Sequence, residues 1–100
     1  MSTAYKYDDK YTGLQRASVT CDLENVKTLV ENGTPVDKLD GTDEGNTALH
    51  LAAMEGCILV VDWLTTNKSL IEIKNKLGST PLYVSAEHGQ EEMVKFLLDK

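Results

Sequence analysis

The sequence lacks most features that mark a secreted protein or a membrane protein. It contains only two cysteines and two prolines among its 100 residues. No apolar run approaches the roughly 18 residues that a membrane-spanning helix needs. The polar, tyrosine-rich start MSTAYKYDDKYTG also lacks the apolar core of a secretory signal. We therefore expect a cytoplasmic or nuclear protein that has no membrane partner.

Basic residues are in the minority, with 10 lysines and arginines against 16 acidic residues and a net charge of −6. A surface that binds nucleic acid needs cations to neutralise phosphates. The charge therefore argues against a nucleic-acid partner and favours a protein partner with a basic surface. Hydrophobic residues make up 41% and charged residues 26% of the chain, which is typical of one small folded domain.

The two cysteines, Cys21 and Cys57, are far apart in the sequence. Neither belongs to a CxxC motif or to a histidine-rich cluster. Isolated cysteines of this kind predict small buried thiols in a reducing compartment. A single disulfide between them remains the alternative.

Motifs of catalysis and metal binding are also missing. The sequence has no glycine-rich phosphate loop, HExxH, GxSxG or kinase signature. The acidic segment at residues 37–44 lacks the alternating carboxylates and final glutamate of a calcium loop, so we interpret it as a solvated loop. We predict no enzymatic activity, no cofactor, no metal and no small-molecule substrate.

The chain repeats itself at an interval of 33 residues. GNTALHLAAMEG at residues 45–56 matches GSTPLYVSAEHG at residues 78–89 in its glycines, threonine, leucine and final alanine. A weaker copy, LQRASVTCDLENVKTLVENG at residues 14–33, aligns at an offset of 35. The linker DKLDGTDEG can absorb the two additional residues, because loop insertions cost little.

Local signals divide each copy into two helices. Thr47 and Thr80 precede short apolar segments, where a hydroxyl can cap a helix start, and Pro81 follows at a tolerated first-turn position. Apolar spacing predicts second helices over residues 23–31, 58–66 and 91–99. Hairpin-like linkers are expected at residues 34–44 and 69–77. Four of their apolar side chains should pack inward: Val36, Leu70, Ile71 and Ile73.

This pattern resembles the ankyrin repeat, whose signature is T-P-L-H-x-A-A within a unit of about 33 residues. Residues 45–53 match it closely, with Ala48 where proline is usual. The third copy keeps TPL at residues 80–82 but has Tyr83 for the histidine, and the first copy has Cys21 for the glycine between helices. The resemblance implies an all-α ankyrin-repeat solenoid of stacked helix-turn-helix units with hairpin-like linkers.

The resemblance also divides the chain into segments. Residues 1–12 form a polar lead, 13–44 a degenerate first repeat, 45–77 the second repeat and 78–100 an incomplete third. No polar closing repeat follows residue 100, although solenoid ends normally need one. We favour a fragment of a longer protein, and a partner that covers the open end is the alternative.

The function implied by the resemblance is non-catalytic protein–protein interaction. Ankyrin repeats make contacts through their linker tips and the concave face of the first helices. Mapped onto this sequence, those positions are Asp43, Glu44, Asn46, Met54, Glu55, Lys76, Leu77, Ser79, Glu87 and His88. This mixture of acidic and apolar side chains suits a folded protein or a peptide with basic residues. A targeting or regulatory domain of a larger enzyme or channel is the alternative function.

Other conspicuous side chains have structural interpretations. By the resemblance, His50 is the histidine that forms hydrogen bonds within and between repeats. Trp63 aligns with Phe96 in the apolar pattern, which predicts packing between repeats. The N-terminal tyrosines either cap the first repeat or are mobile, and they are Tyr5, Tyr7 and Tyr11.

Overall fold

In the part of the chain that the structure describes, six short helices follow one another as three pairs. A computed structural model describes residues 11–68 and 70–100, and the predicted lead, including Tyr5 and Tyr7, lies largely outside them. The pairs are α1 (Gly13–Val19) with α2 (Leu23–Glu31), α3 (Ala48–Met54) with α4 (Ile58–Lys68), and α5 (Pro81–Glu87) with α6 (Glu91–Leu98). No strand occurs in the described ranges. The predicted all-helical fold is confirmed, and the predicted second helices differ from α2, α4 and α6 by at most two residues.

A threonine begins each first helix of a pair. The hydroxyl oxygens of Thr12, Thr47 and Thr80 accept the backbone N–H three residues later, at 3.4, 3.4 and 3.3 Å. These bonds satisfy amides that have no partner inside the helix. Pro81 occupies the first turn of α5, where a missing N–H costs nothing. The two predicted caps are confirmed, and Thr12 gives the degenerate first repeat the same start.

The turn inside each pair contains a residue in the left-handed backbone region. Gly56 and Gly89 have φ values of 74° and 69°, and Cys21 has a φ of 60° at the equivalent point of the first pair. Glycine adopts this conformation freely, whereas a Cβ atom makes it costly. The degenerate first repeat therefore keeps the backbone of its neighbours despite the cysteine.

Aliphatic and small side chains from all three pairs form one hydrophobic core. The first helices α1, α3 and α5 pack successively against one another, and each also packs against its own second helix. Leu49, Ala52 and Ala53 lie fully buried at the centre, where the alanines let neighbouring helices approach closely. Trp63 and Phe96 are half-buried against this core, which is consistent with the predicted packing role. Because one pair cannot bury its apolar face alone, stacking provides the stability.

The linkers fold as hairpin-like loops beside the core. Backbone bonds close them, from Asp40 N–H to the Asn46 carbonyl at 2.8 Å and from Asn75 N–H to the Ser79 carbonyl at 2.9 Å. The four linker residues predicted to point inward all pack against the core. The interpretation of residues 37–44 as entirely solvated is wrong at Asp40, which is buried. Its Oδ1 accepts the backbone N–H groups of Thr42 and Asn46 and so organises the turn.

Cys21 and Cys57 form a disulfide, with their Cα atoms 5.2 Å apart. The bond joins the turn between α1 and α2 to the turn between α3 and α4. The prediction of two small buried thiols is therefore wrong, since the sulfurs are bonded and Cys21 is exposed. Stacking places equivalent turns side by side, and this brings together cysteines that lie 36 residues apart in the sequence.

Candidate protein-binding surface

Most of the predicted contact residues lie at the surface, in two groups. The linker tips carry the exposed residues Asp43, Glu44, Lys76 and Leu77. The C-terminal ends of α3 and α5 carry half-buried Met54 and the exposed residues Glu55, Glu87 and His88. The rest of α3, residues 48–53, is buried. The first helix of the second repeat therefore offers only its C-terminal end to a partner.

Backbone hydrogen bonds join the two linker tips. The N–H of Lys76 donates to the carbonyls of Glu44 at 3.0 Å and Gly45 at 3.1 Å. Gly45 has a φ of 58°, and a Cβ atom there would lie only 2.6 Å from the Lys76 Cβ. Glycine is thus needed both for the backbone conformation and for the close approach. The tips form one continuous edge instead of two independent loops.

Asn46 does not belong to the accessible surface, because it is only 1% exposed. Its Nδ2 donates to Glu44 Oε1 at 3.1 Å, and its Oδ1 accepts from Asn75 Nδ2 at 2.9 Å. The prediction of Asn46 as a contact residue is wrong, since its side chain fastens one linker to the next. Ser79, also predicted as a contact, is half-buried.

His50 is fully buried and links the second repeat to the third by a hydrogen bond. Its Nδ1 lies 2.7 Å from the Thr47 hydroxyl and 3.3 Å from the Thr47 backbone N, and its Nε2 lies 2.7 Å from the Ser79 carbonyl oxygen. A backbone N–H can only donate and a carbonyl can only accept, so we assign the proton of the neutral ring to Nε2. The predicted structural role within and between repeats is confirmed.

We expect acid to destabilise the stack through His50. Burial lowers the pKa of His50 below its usual 6.5, and the Ser79 carbonyl and the Asp40 carboxylate oppose this only in part. The unfolded chain therefore binds the proton more readily than the folded chain. The contribution of His50 to stability is present above pH 6.5 and is lost as the pH falls through the folded-state pKa.

Urea titrations at a series of pH values between about 7 and 5 measure this loss. The free energy of unfolding of the wild type should fall across that range, and the His50→Gln variant should show a flatter pH dependence. The His88→Gln variant is the matched control, because His88 is exposed and its loss should leave the dependence intact. Equal slopes in the wild type and the His50→Gln variant would contradict this account.

Tyr83 is a candidate contact residue that the sequence pattern did not reveal. It replaces the histidine of the third repeat, yet it is 56% exposed, whereas the equivalent His50 is buried. Together with Leu77, it borders a shallow depression formed by residues 77–80 and 83. Its departure from the histidine pattern was the only available signal. We call this set the tip surface. It consists of half-buried Met54 and the exposed residues Asp43, Glu44, Glu55, Lys76, Leu77, Tyr83, Glu87 and His88.

The tip surface can offer contact area, hydrogen bonds and negative potential. Four of its members are acidic and Lys76 is its only lysine or arginine. In residues 11–68 and 70–100, no group of three or more His, Cys, Asp or Glu side chains is placed to hold a metal ion. No helix within these ranges is both long enough and apolar enough to span a membrane.

Several known proteins contain segments similar to this chain. It is 33% identical over 76 residues to serine/threonine-protein kinase 12 of Arabidopsis thaliana, covering 76% of this chain and 16% of the kinase. It is 30% identical over 93 residues to the probable 26S proteasome regulatory subunit p28 of Saccharomyces cerevisiae, covering 93% of this chain and 41% of that subunit. It is 32% identical over 93 residues to NF-kappa-B inhibitor alpha of Sus scrofa, covering 87% of this chain and 29% of that inhibitor. The chain thus spans less than half the length of each of these relatives.

The match of the repeats to a family model identifies the family. A model of ankyrin repeats matches three copies over residues 14–100. This range contains all three helix pairs except the first residue of α1. Ankyrin repeats are protein-interaction modules, and the predicted resemblance is confirmed. The chain belongs to the ankyrin-repeat family.

Proposed function

We propose that this chain is a non-catalytic module that binds a protein partner through the tip surface. The observation that carries the proposal is the joined edge of the linker tips, where Leu77 is 68% exposed and the carboxylates of Asp43 and Glu44 are also exposed. Such charges steer association. Hydrogen bonds between the two tips hold this edge in a preformed shape, which reduces the entropy lost on binding.

The proposed partner is a folded protein or an extended peptide with a basic surface. Exposed carboxylates at Asp43, Glu44 and Glu87 would attract such a surface. The net charge of −6 disfavours nucleic acid and anionic membranes as partners, and we propose neither. We also propose a cytoplasmic or nuclear location. The similarity to a proteasome regulatory subunit and to an inhibitor supports a regulatory binding role.

A second candidate is a targeting or regulatory domain within a larger enzyme or channel. The comparisons favour it, because a similar segment occurs in a kinase of which this chain spans only 16%. The sequence of the full transcript separates the candidates. A continuous reading frame into an enzyme or channel domain would favour this second function.

The binding proposal is tested by capturing proteins from a cell lysate on the immobilised chain. The wild type is compared with a double variant, Asp43→Lys with Glu87→Lys, that reverses two charges of the tip surface. Glu44 is left unchanged because it holds buried Asn46. We expect recovery of the partner to fall by roughly fivefold or more at low salt and by less at high salt, because salt screens exposed charges.

The matched control is Glu31→Lys with Asp99→Lys. It makes the same change in charge at exposed positions near the ends of α2 and α6. Circular dichroism verifies that both double variants are folded. Recovery that falls equally in the two would mean that net charge, and not the tip surface, governs binding. Unchanged recovery in the first variant would exclude a contribution from its carboxylates.

A further inference from the structure

The disulfide between the first two repeats lies at the surface, between equivalent turns. We propose that Cys21–Cys57 is a thiol-exchange site, in which a low-molecular-weight thiol attacks the Cys21 sulfur and expels Cys57 as a thiolate. This reaction breaks the covalent bond between the first repeat and the second. The inference concerns a modification of the chain and does not depend on the proposed protein partner.

The third repeat shows how the same junction is held without a cysteine. Gln90 is the equivalent of Cys57, because each follows the left-handed glycine of its turn. The Gln90 Nε2 donates to the Met54 carbonyl at 2.8 Å, so its side chain also reaches back to the preceding turn. Packing and a hydrogen bond are thus sufficient at the second junction. The disulfide at the first junction is an additional fastening that the stack can lose while keeping its core.

The two cysteines differ in their access to solvent. Cys21 is exposed, whereas Cys57 is only 4% exposed. Both border an open groove whose other lining residues are apolar, namely Leu23, Ile58, Leu59 and Val60. Because exchange depends on which sulfur an attacking thiolate can reach, we assign the attack to the sulfur of the more exposed residue, Cys21.

Local charges act on both cysteines. The Cys57 carbonyl accepts the N–H of Val61 at 3.0 Å, which places Cys57 at the positive start of α4. Cys21 lies one residue before the cap of α2, and that cap is the carboxylate of Asp22, which disfavours a second negative charge nearby. Against these effects, the Ser18 carbonyl oxygen lies 3.4 Å from the buried Cys57 sulfur; it disfavours the thiolate but can accept the proton of the thiol that follows. The assignment of Cys57 as the leaving group therefore depends mainly on access.

The exchange balances without an external oxidant. The attacking thiolate forms a new bond to the Cys21 sulfur, and the electron pair of the broken disulfide leaves on the Cys57 sulfur, which then takes a proton. A second thiol resolves the mixed disulfide in the same way and releases the Cys21 thiol. Two thiols of the reductant become one disulfide, and the protein gains two thiols.

Exchange with glutathione, quenched early with excess N-ethylmaleimide, tests the direction of cleavage on the wild-type protein. Trypsin separates the cysteines, since Cys21 lies in residues 17–27 and Cys57 in residues 39–68. We expect glutathione on the Cys21 peptide and maleimide on the Cys57 peptide, with roughly a tenfold preference over the reverse pattern. Equal labelling, or glutathione mainly on Cys57, would overturn the assignment.

Hydrogen exchange of the oxidised and reduced wild type tests the unfastening. Reduction should accelerate amide exchange in α1 and α2 by roughly tenfold. The exchange rates in α5 and α6 should stay within about twofold of those in the oxidised protein, because only the first junction loses its bond. The Cys21→Ser variant removes the disulfide but keeps a Cβ atom at this left-handed position, so the backbone penalty is unchanged. It should match the reduced wild type with or without reductant. Identical exchange in the oxidised and reduced wild type would overturn the unfastening.

Discussion

Replacing Leu64 with alanine is expected to lower the free energy of unfolding by about 3 kcal/mol. Leu64 is fully buried in α4, so the substitution removes apolar contacts and leaves a cavity in a core that is shared by the repeats. Domains of this size have a total stability of roughly 5–15 kcal/mol, so the loss is a large part of the whole. Urea unfolding followed through the single tryptophan, Trp63, measures it.

Leu59 provides the matched control for this prediction. It belongs to the same helix and is 69% exposed, so Leu59→Ala should change the free energy of unfolding by less than about 0.5 kcal/mol. The comparison keeps residue type and helix constant and varies only burial. Similar losses in both variants would show that α4 does not pack as described.

Substituting alanine for Gly45 is expected to cost about 2–4 kcal/mol, from two separate causes. The left-handed backbone penalises any Cβ atom by roughly 1–2 kcal/mol. In addition, the new Cβ would lie 2.6 Å from the Lys76 Cβ, so the joined linker tips would have to separate. Denaturant titration measures the total cost, and the chemical shifts of the Lys76 amide report the separation.

Gly78 isolates the first of these causes. Its φ of 86° is also left-handed, but a Cβ there would meet nothing within 4 Å. We expect Gly78→Ala to cost about 1–2 kcal/mol, which is the backbone penalty alone. A Gly45→Ala loss no greater than that of Gly78→Ala would disprove the tight contact between the tips.

Local chemistry explains what could be predicted from the sequence. The Thr47 and Thr80 caps depend on residues within one helical turn, and the second helices follow from apolar spacing. The 33-residue repeat then predicts that the helix pairs stack, because each pair must bury its apolar face against the next. Even the inward packing of Val36 and Ile73 followed from this logic.

Contacts between residues that are distant in the sequence explain what could not be predicted. The family pattern predicts Asn46 at the surface, but Asn75, which lies 29 residues further along the chain, binds and buries it. Tyr83 is exposed, unlike the equivalent His50. The disulfide depends on the spatial alignment of two turns. For Asn46 and for the disulfide, the deciding partner lies 29 and 36 residues away in the sequence, and the local pattern does not reveal it.

The fold and the proposed function are linked through rigidity. Buried His50 binds Ser79 at the start of the third repeat, and buried Asn46 binds Asn75 in the linker that precedes it. These contacts fix the linker tips relative to the first helices. Exposed Leu77 and Tyr83 consequently lie on a supported edge, and a partner would not have to order a flexible loop before binding.

Site-specific cross-linking tests the proposed binding surface most directly. A photoreactive phenylalanine analogue is placed at position 77 of the tip surface or at position 59 of α4, where the natural leucines are almost equally exposed at 68% and 69%. After irradiation with the captured partner, we predict a covalent adduct from position 77 and none from position 59. An adduct from position 59 alone would contradict the account, because it would place the partner on the second helices.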